Sequence, residues 1–196
     1  MVASVAVGMT VVMGASPILA ADTDISKEET VYVNAAADGT PEDITVSDWL
    51  KNSASAGDLS DESDLKDIKN VKGDETFSQD GDKLTWATDG EDIYYQGTTD
   101  KKLPVSVKLN YYLDGKQMKP SELKGKSGHL KITVDYKNNE KQNVSLDGKD
   151  TEVYTPFVMM TGMILPNETF SNVTIDNGKI ISDGNKNIVV GFGMPG

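Results

Sequence analysis

Cysteine and arginine are both missing from this 196-residue chain, and histidine occurs once, as His129. Each absence removes a class of chemistry. Without thiols there are no disulfides, no thiolate zinc sites and no cysteine nucleophile. Without arginine all 19 basic groups are lysines, and the rigid fork that grips phosphates and base edges at two points is lacking. The 31 acidic groups bring the net charge to −12, which repels a phosphate backbone, so nucleic acid is excluded as a partner. One histidine leaves no histidine-rich metal site, and any serine–histidine–acid relay would have to be built on that single side chain.

Sustained helical periodicity is also lacking outside the first twenty residues. In its place Asp-Gly or Asn-Gly pairs recur at Asp38-Gly39, Asp80-Gly81, Asp89-Gly90, Asp114-Gly115, Asp147-Gly148, Asn177-Gly178 and Asp183-Gly184. Such pairs accept the positive φ angles of tight turns, and they separate segments of alternating or β-branched residues. Val105, Val107, Leu109, Tyr111 and Leu113 alternate with Ser106, Lys108, Asn110 and Tyr112, one strand face dry and the other wet. Leu130, Ile132, Val134 and Tyr136 repeat the pattern. The predicted fold class is mainly β: a small N-terminal β-hairpin region followed by an immunoglobulin-like antiparallel β-sandwich. Apolar residues make up 37% of the chain, enough for a thin core of that kind.

The expected organisation has five parts. Residues 1–20, "MVASVAVGMTVVMGASPILA", carry no charge and read as a signal peptide cleaved near Ala20 or Ala21, or as an uncleaved N-terminal anchor. Residues 21–52 form the hairpin region. Residues 53–73 are small, polar and acidic and read as a linker. Residues 74–97 supply short strands packing on the following domain, and 98–196 is the sandwich. Charge is segregated along the chain, with twelve acids against four lysines in 58–92 and ten lysines against five acids in 98–141; these read as solvated faces.

Several motifs invite chemistry. Gly125-Lys126-Ser127 resembles the end of a phosphate-binding loop, but Pro120 holds the place of its first glycine. A helical turn precedes the triplet and a strand follows, the reverse of the order a nucleotide site needs. No nucleotide is expected. Asp58, Asp61, Glu62, Asp64, Asp80 and Asp82 offer hard oxygen ligands without the spacing of a twelve-residue calcium loop, so no cofactor is expected beyond loop calcium. A lysine–asparagine cross-link could be imagined from Lys108 or Lys131, Asn172 or Asn187, and Glu152. Trp49, Trp86, Tyr94 and Tyr112 are the candidate glycan platform, because exposed aromatic faces stack on sugar rings. No catalytic or metal-ligating residue is assigned.

The stretches "KEETVYV", "VSDWLKN", "IKNVKGDE", "YYQGTTDKKLPVSVKLNYYLDGK", "LKGKSGHLKITVDYKNN" and "GKIISDGNKNIVVGFGMPG" together resemble exported cell-surface proteins of Gram-positive gut bacteria. The resemblance spans residues 27–196. It implies a β-rich N-terminal region preceding leucine- and glycine-containing heptad repeats and a C-terminal membrane segment, neither of which follows Gly196 here, so a truncated C-terminus is expected. It transfers no activity. The resulting expectation is a non-catalytic, extracellular or cell-surface protein region with a structural or adhesive role, or alternatively a carbohydrate-binding module. Its expected partner is a cell-wall or host glycan or protein, and contact with membrane is expected only through the leader or the missing C-terminal segment.

Overall fold

The computed structural model describes residues 9–13, 25–146 and 148–195. Strand predominates among the described residues, and the one helical element there is a 3-10 turn at Pro120–Glu122. The mainly β, antiparallel architecture expected from the turn pairs is the one found. The chain divides into two compact units.

One unit comprises residues 9–13, 25–33 and Asp43–Lys101. Its strands are β1 (Met9–Met13), β2 (Ile25–Ala35), β3 (Pro41–Asn52), β4 (Asp58–Glu62), β5 (Lys66–Asn70), β6 (Phe77–Asp80), β7 (Lys83–Ala87) and β8 (Ile93–Thr98). They form a five-stranded sheet in the order β1-β2-β3-β8-β5 and a three-stranded sheet in the order β4-β7-β6. Leu50 from β3 and Ile93 and Tyr95 from β8 meet Leu59 from β4 and Leu84 and Trp86 from β7. Two sheets thus close over one apolar layer, and each fully buried side chain contributes about 1.5–3 kcal/mol.

Two boundaries differ from expectation. Residues 53–73, read as a linker, contain β4 and β5, because Leu59, Leu65 and Ile68 bring enough apolar surface to join the core despite their acidic neighbours. Asn52 fastens the start of this stretch: its amide donates to the Ala56 carbonyl and Thr88 Oγ1, and its Oδ1 accepts from Ala56 N. Residues 74–97, expected to pack on the following domain, contribute Phe77, Leu84, Trp86, Ile93 and Tyr95 to this core. Of the segment read as a leader, Met9–Met13 is a strand paired with β2, Met9 opposite Val33 and Met13 opposite Glu29. The remainder of 1–20, and the cleavage positions Ala20 and Ala21, lie outside the described residues.

The other unit comprises Asn34–Glu42 and the chain from Lys102 onward. Its strands are β9 (Val105–Leu113), β10 (Lys116–Met118), β11 (Leu130–Asn138), β12 (Lys141–Leu146), β13 (Lys149–Tyr154), β14 (Met159–Pro166), β15 (Gly178–Asp183) and β16 (Lys186–Gly193). They form three antiparallel sheets, β10-β9-β11, β12-β13 and β14-β16-β15. Val105, Leu109 and Tyr111 are buried on β9, on the face that alternation predicts. The hairpin tip docks there: Leu109 N donates to the Asp38 carbonyl, and the Tyr111 hydroxyl donates to the Ala37 carbonyl.

Five of the seven turn pairs join adjacent antiparallel strands, although Asp147 itself lies outside the described residues. The other two do not. Asp89-Gly90 carries the chain from one sheet to the other. Gly178 opens β15 with an unexceptional φ, and it is glycine because a Cβ would overlap the Val190 carbonyl oxygen.

Candidate functional site

The four platform aromatics are not brought together. Trp86 is fully buried, wedged between Phe77 and Tyr95 with ring centroids 4.5 and 5.4 Å away, so it presents no face to a ligand. Its position in phase with Leu84 along β7 puts it on the core side. Tyr112 belongs to the other unit, half-buried on β9. Trp49 and Tyr94 do meet. They are directly opposite in the β3–β8 ladder, stacked with centroids 5.3 Å apart and 15° between planes.

This pair has a polar frame. Trp49 Nε1 donates to Asp92 Oδ2 at 2.9 Å, and Asn52 N donates to Asp92 Oδ1 at 2.7 Å. Those two donors hold the Asp92 carboxyl below the usual carboxylate range. The Lys51 ammonium lies 4.2 Å from the Trp49 ring centroid and the Lys72 ammonium 4.1 Å from that of Tyr94. Cations over aromatic faces are attracted by the ring quadrupole, so these lysines occupy ring faces that a sugar would need.

The same unit holds a cluster that the sequence reading missed. On β3, Asp48 lies in phase with Val46 and Leu50 and is driven inward with them; its side chain is 0% exposed. On β2, Lys27 lies in phase with the buried Val31 and Val33. The Lys27 ammonium stands 3.2 Å from Asp48 Oδ2 and 2.9 Å from Asp61 Oδ2 of β4. It also donates to the Tyr95 hydroxyl at 3.2 Å, and that hydroxyl donates to Asp61 Oδ2 at 2.5 Å. The Lys27 ammonium is the cation facing the Asp48 carboxyl, whose oxygens have no partner in full hydrogen-bond geometry. Burial pushes the Asp48 carboxyl up, with the Lys27 charge opposing. Burial would lower Lys27, but the two carboxylates outweigh it and hold the ammonium above its ordinary value. Burial and both acids raise Tyr95, which stays a protonated donor. An acid in phase with core residues was the available signal.

In the other unit the sheet β14-β16-β15 carries apolar side chains on both faces, with Lys179, Asp183 and Lys186 among them on the outer one. Met163, Leu165 and Val189 face Ile132, Val134 and Tyr136 of β11 across a cleft of about 1030 Å³, with the Tyr136 hydroxyl bonded to Thr161 Oγ1 at its side. The opposite face carries Met160, Ile164, Ile181 and Phe192 at 54–66% exposure. Met160 is paired with Phe192, and Ile188 lies between Ile164 and Ile181, so these residues form a contiguous patch. Runs such as Met159-Met160 and Ile188-Val189-Val190 are continuous rather than alternating, the pattern of a sheet covered on both sides.

The remaining motifs take up turn and surface roles. Gly125 and Gly128 have φ of 75° and 155° between the 3-10 turn and β11. His129 is exposed, and its N–H donates to Asp114 Oδ1. Among the acids considered for calcium, Asp61 points inward to Lys27, and among the described residues no group of three or more His, Asp or Glu side chains converges as metal ligands. Lys108, Lys131 and Glu152 are exposed, Glu152 pairing with Lys141 at 2.6 Å, and Asn187 bonds to Asn167 and Ser182. The imagined lysine–asparagine cross-link is therefore not assembled from them. Comparison with known proteins finds no matching family model, no matching curated protein and no matching solved structure.

Proposed function

We propose that this chain is a non-catalytic, exported region of a bacterial cell-surface protein that acts structurally and adhesively, binding a protein partner through the outer face of β14-β16-β15. The observation that carries this reading is the patch of Met160, Ile164, Ile181 and Phe192, each more than half exposed. Contiguous apolar surface on a sheet face is costly to leave in water and marks interaction surfaces. Three of the four are aliphatic or thioether side chains, and none of the four supplies a donor or acceptor for sugar hydroxyls, so the chemistry favours an apolar protein surface. Export is supported by the uncharged first twenty residues, and the Gram-positive setting by the resemblance.

A glycan-binding reading rests on the stacked Trp49–Tyr94 pair with Asp92 beside it. It ranks second because Lys51 and Lys72 sit on the rings.

One experiment separates the two. The purified protein is titrated onto intact Gram-positive cells and onto cells shaved with protease. The proposed function expects saturable binding that shaving abolishes, that Ile164→Lys with Phe192→Lys weakens at least about tenfold, and that Trp49→Ala leaves unchanged. Binding that survives shaving and depends on Trp49 would transfer the function to the glycan reading, and no binding to either surface would remove both.

A further inference from the structure

Asp48 is an anomaly in its surroundings. A carboxyl group with a fully buried side chain is a costly arrangement, and the cation paired with it among the described residues is the primary amine of Lys27, 3.2 Å from its Oδ2, with the acids Asp61 and Glu29 close enough to act on its charge. A second carboxylate, Asp61, is 2.9 Å from the same nitrogen and is fixed by the Tyr95 hydroxyl. An amine, a dry carboxyl group beside it and a second carboxylate touching that amine are the components of an amide-forming site.

We propose that Lys27 Nζ and Asp48 Cγ join in an intramolecular amide bond between β2 and β3, with Asp61 as the proton carrier and Tyr95 as the residue that positions it. The ion pair first neutralises itself: one ammonium proton passes to Asp48, leaving a free amine beside a carboxylic acid. Burial favours the neutral form of Asp48 and so works against the hold of the two carboxylates on the Lys27 proton. The Nζ lone pair then forms the bond to Cγ. The nitrogen gives its second proton to Asp61, which passes it to the departing hydroxyl as the Cγ–O bond breaks. One water leaves, an amide N–H remains, and Asp61 returns to a carboxylate. No oxidant, metal or second substrate is needed. Preorganisation supplies the barrier reduction, since reactants held at contact distance react as an intramolecular pair. The Lys27 side chain is 24% exposed, which gives the water a way out.

In a chain without cysteine, such a bond would tie β2 to β3 as a disulfide ties loops elsewhere, stabilising the unit by restricting its unfolded ensemble.

Intact mass spectrometry of the full chain under denaturing conditions tests this, with the termini fixed by peptide sequencing. The expected mass is lower than the sequence mass by one water, with a branched peptide joining Lys27 to Asp48. Six Asp-Gly pairs in the chain can also lose water as cyclic imides, so the sample is treated with hydroxylamine: an imide opens, whereas the cross-link keeps its mass deficit. Lys27→Arg and Asp48→Ala should restore the sequence mass, and Asp61→Ala should slow the loss in freshly refolded protein. A folded wild-type chain at its full sequence mass, or a deficit that hydroxylamine removes, would overturn the proposal whatever the variants do.

Discussion

Trp86 and Trp49 lie thirty-seven residues apart on neighbouring patterns of alternation, and their environments assign them opposite duties. Trp86→Ala empties the centre of the unit that contains it and should cost about 3–5 kcal/mol in a denaturant titration. Its indole N–H has no acceptor, so Trp86→Phe forfeits no hydrogen bond and should cost markedly less, about 1 kcal/mol. Equal losses in the two variants would show that the indole is held by something other than packing. Asp92 gives a pH signature. Its folded value lies below the ordinary 3.8, so its contribution to stability is present above that value and is lost as pH falls through the lower folded one. Glu29 is raised by burial and acts with the opposite sign. The difference between wild type and Asp92→Asn isolates the effect: the gap in melting temperature should be widest near neutral pH and close on acidification, and a gap that is constant with pH would refute the assignment. At this scale the sequence was half legible. Alternation along β9 places Val105, Leu109 and Tyr111 inward, whereas Trp86 reads as a platform residue by its type although its phase with Leu84 puts it in the core, and the phase of Asp48 with Val46 is a signal that composition alone does not bring out.

Strands were easier to see than their grouping. Each Asp-Gly signal is local chemistry, since a glycine at positive φ and a short polar side chain before it suffice to turn the chain. Whether the flanking strands then pair with each other depends on distant partners, which is why Asp89-Gly90 turns between sheets while Asp80-Gly81 closes the β6–β7 hairpin. The acidic stretch around β4 shows the same limit: its composition suggests solvent, but Leu59, buried to 1% exposure, with Leu65 and Ile68 packed against the same core, recruits it. Limited proteolysis should therefore spare 58–70 while the fold is intact, and early cutting there would restore the linker reading. Gly39 tests the hairpin tip. It has φ +92°, and a Cβ would overlap the Val107 carbonyl oxygen, so Gly39→Ala should cost more than the ~1 kcal/mol of a conformational penalty alone. Gly115, also at positive φ but with open space around it, is the control: Gly115→Ala should cost about the conformational penalty and no more.

Across the whole molecule the two units differ in how completely they are packed. The unit built on Leu50, Leu59, Leu84, Trp86, Ile93 and Tyr95 closes two sheets over side chains at 0–1% exposure. The other unit has few side chains buried to that degree, keeps an open cleft beside β11 and leaves the outer face of β14-β16-β15 in water. Opening free energies follow packed apolar contact, so native-state hydrogen exchange should run slowest in the amides of β7 and β8. It should run faster in β12–β13, a two-stranded ladder with mostly exposed side chains, and in β15 at a sheet edge. This gradient ties stability to the proposed function. A sheet with apolar side chains on both sides gains stability when the exposed side is covered, so binding of the partner should raise protection in β14, β15 and β16 and leave β7 and β8 unchanged. If exchange is slowest in β14–β16 in the isolated protein, that sheet is already covered, and the adhesive face must be sought elsewhere.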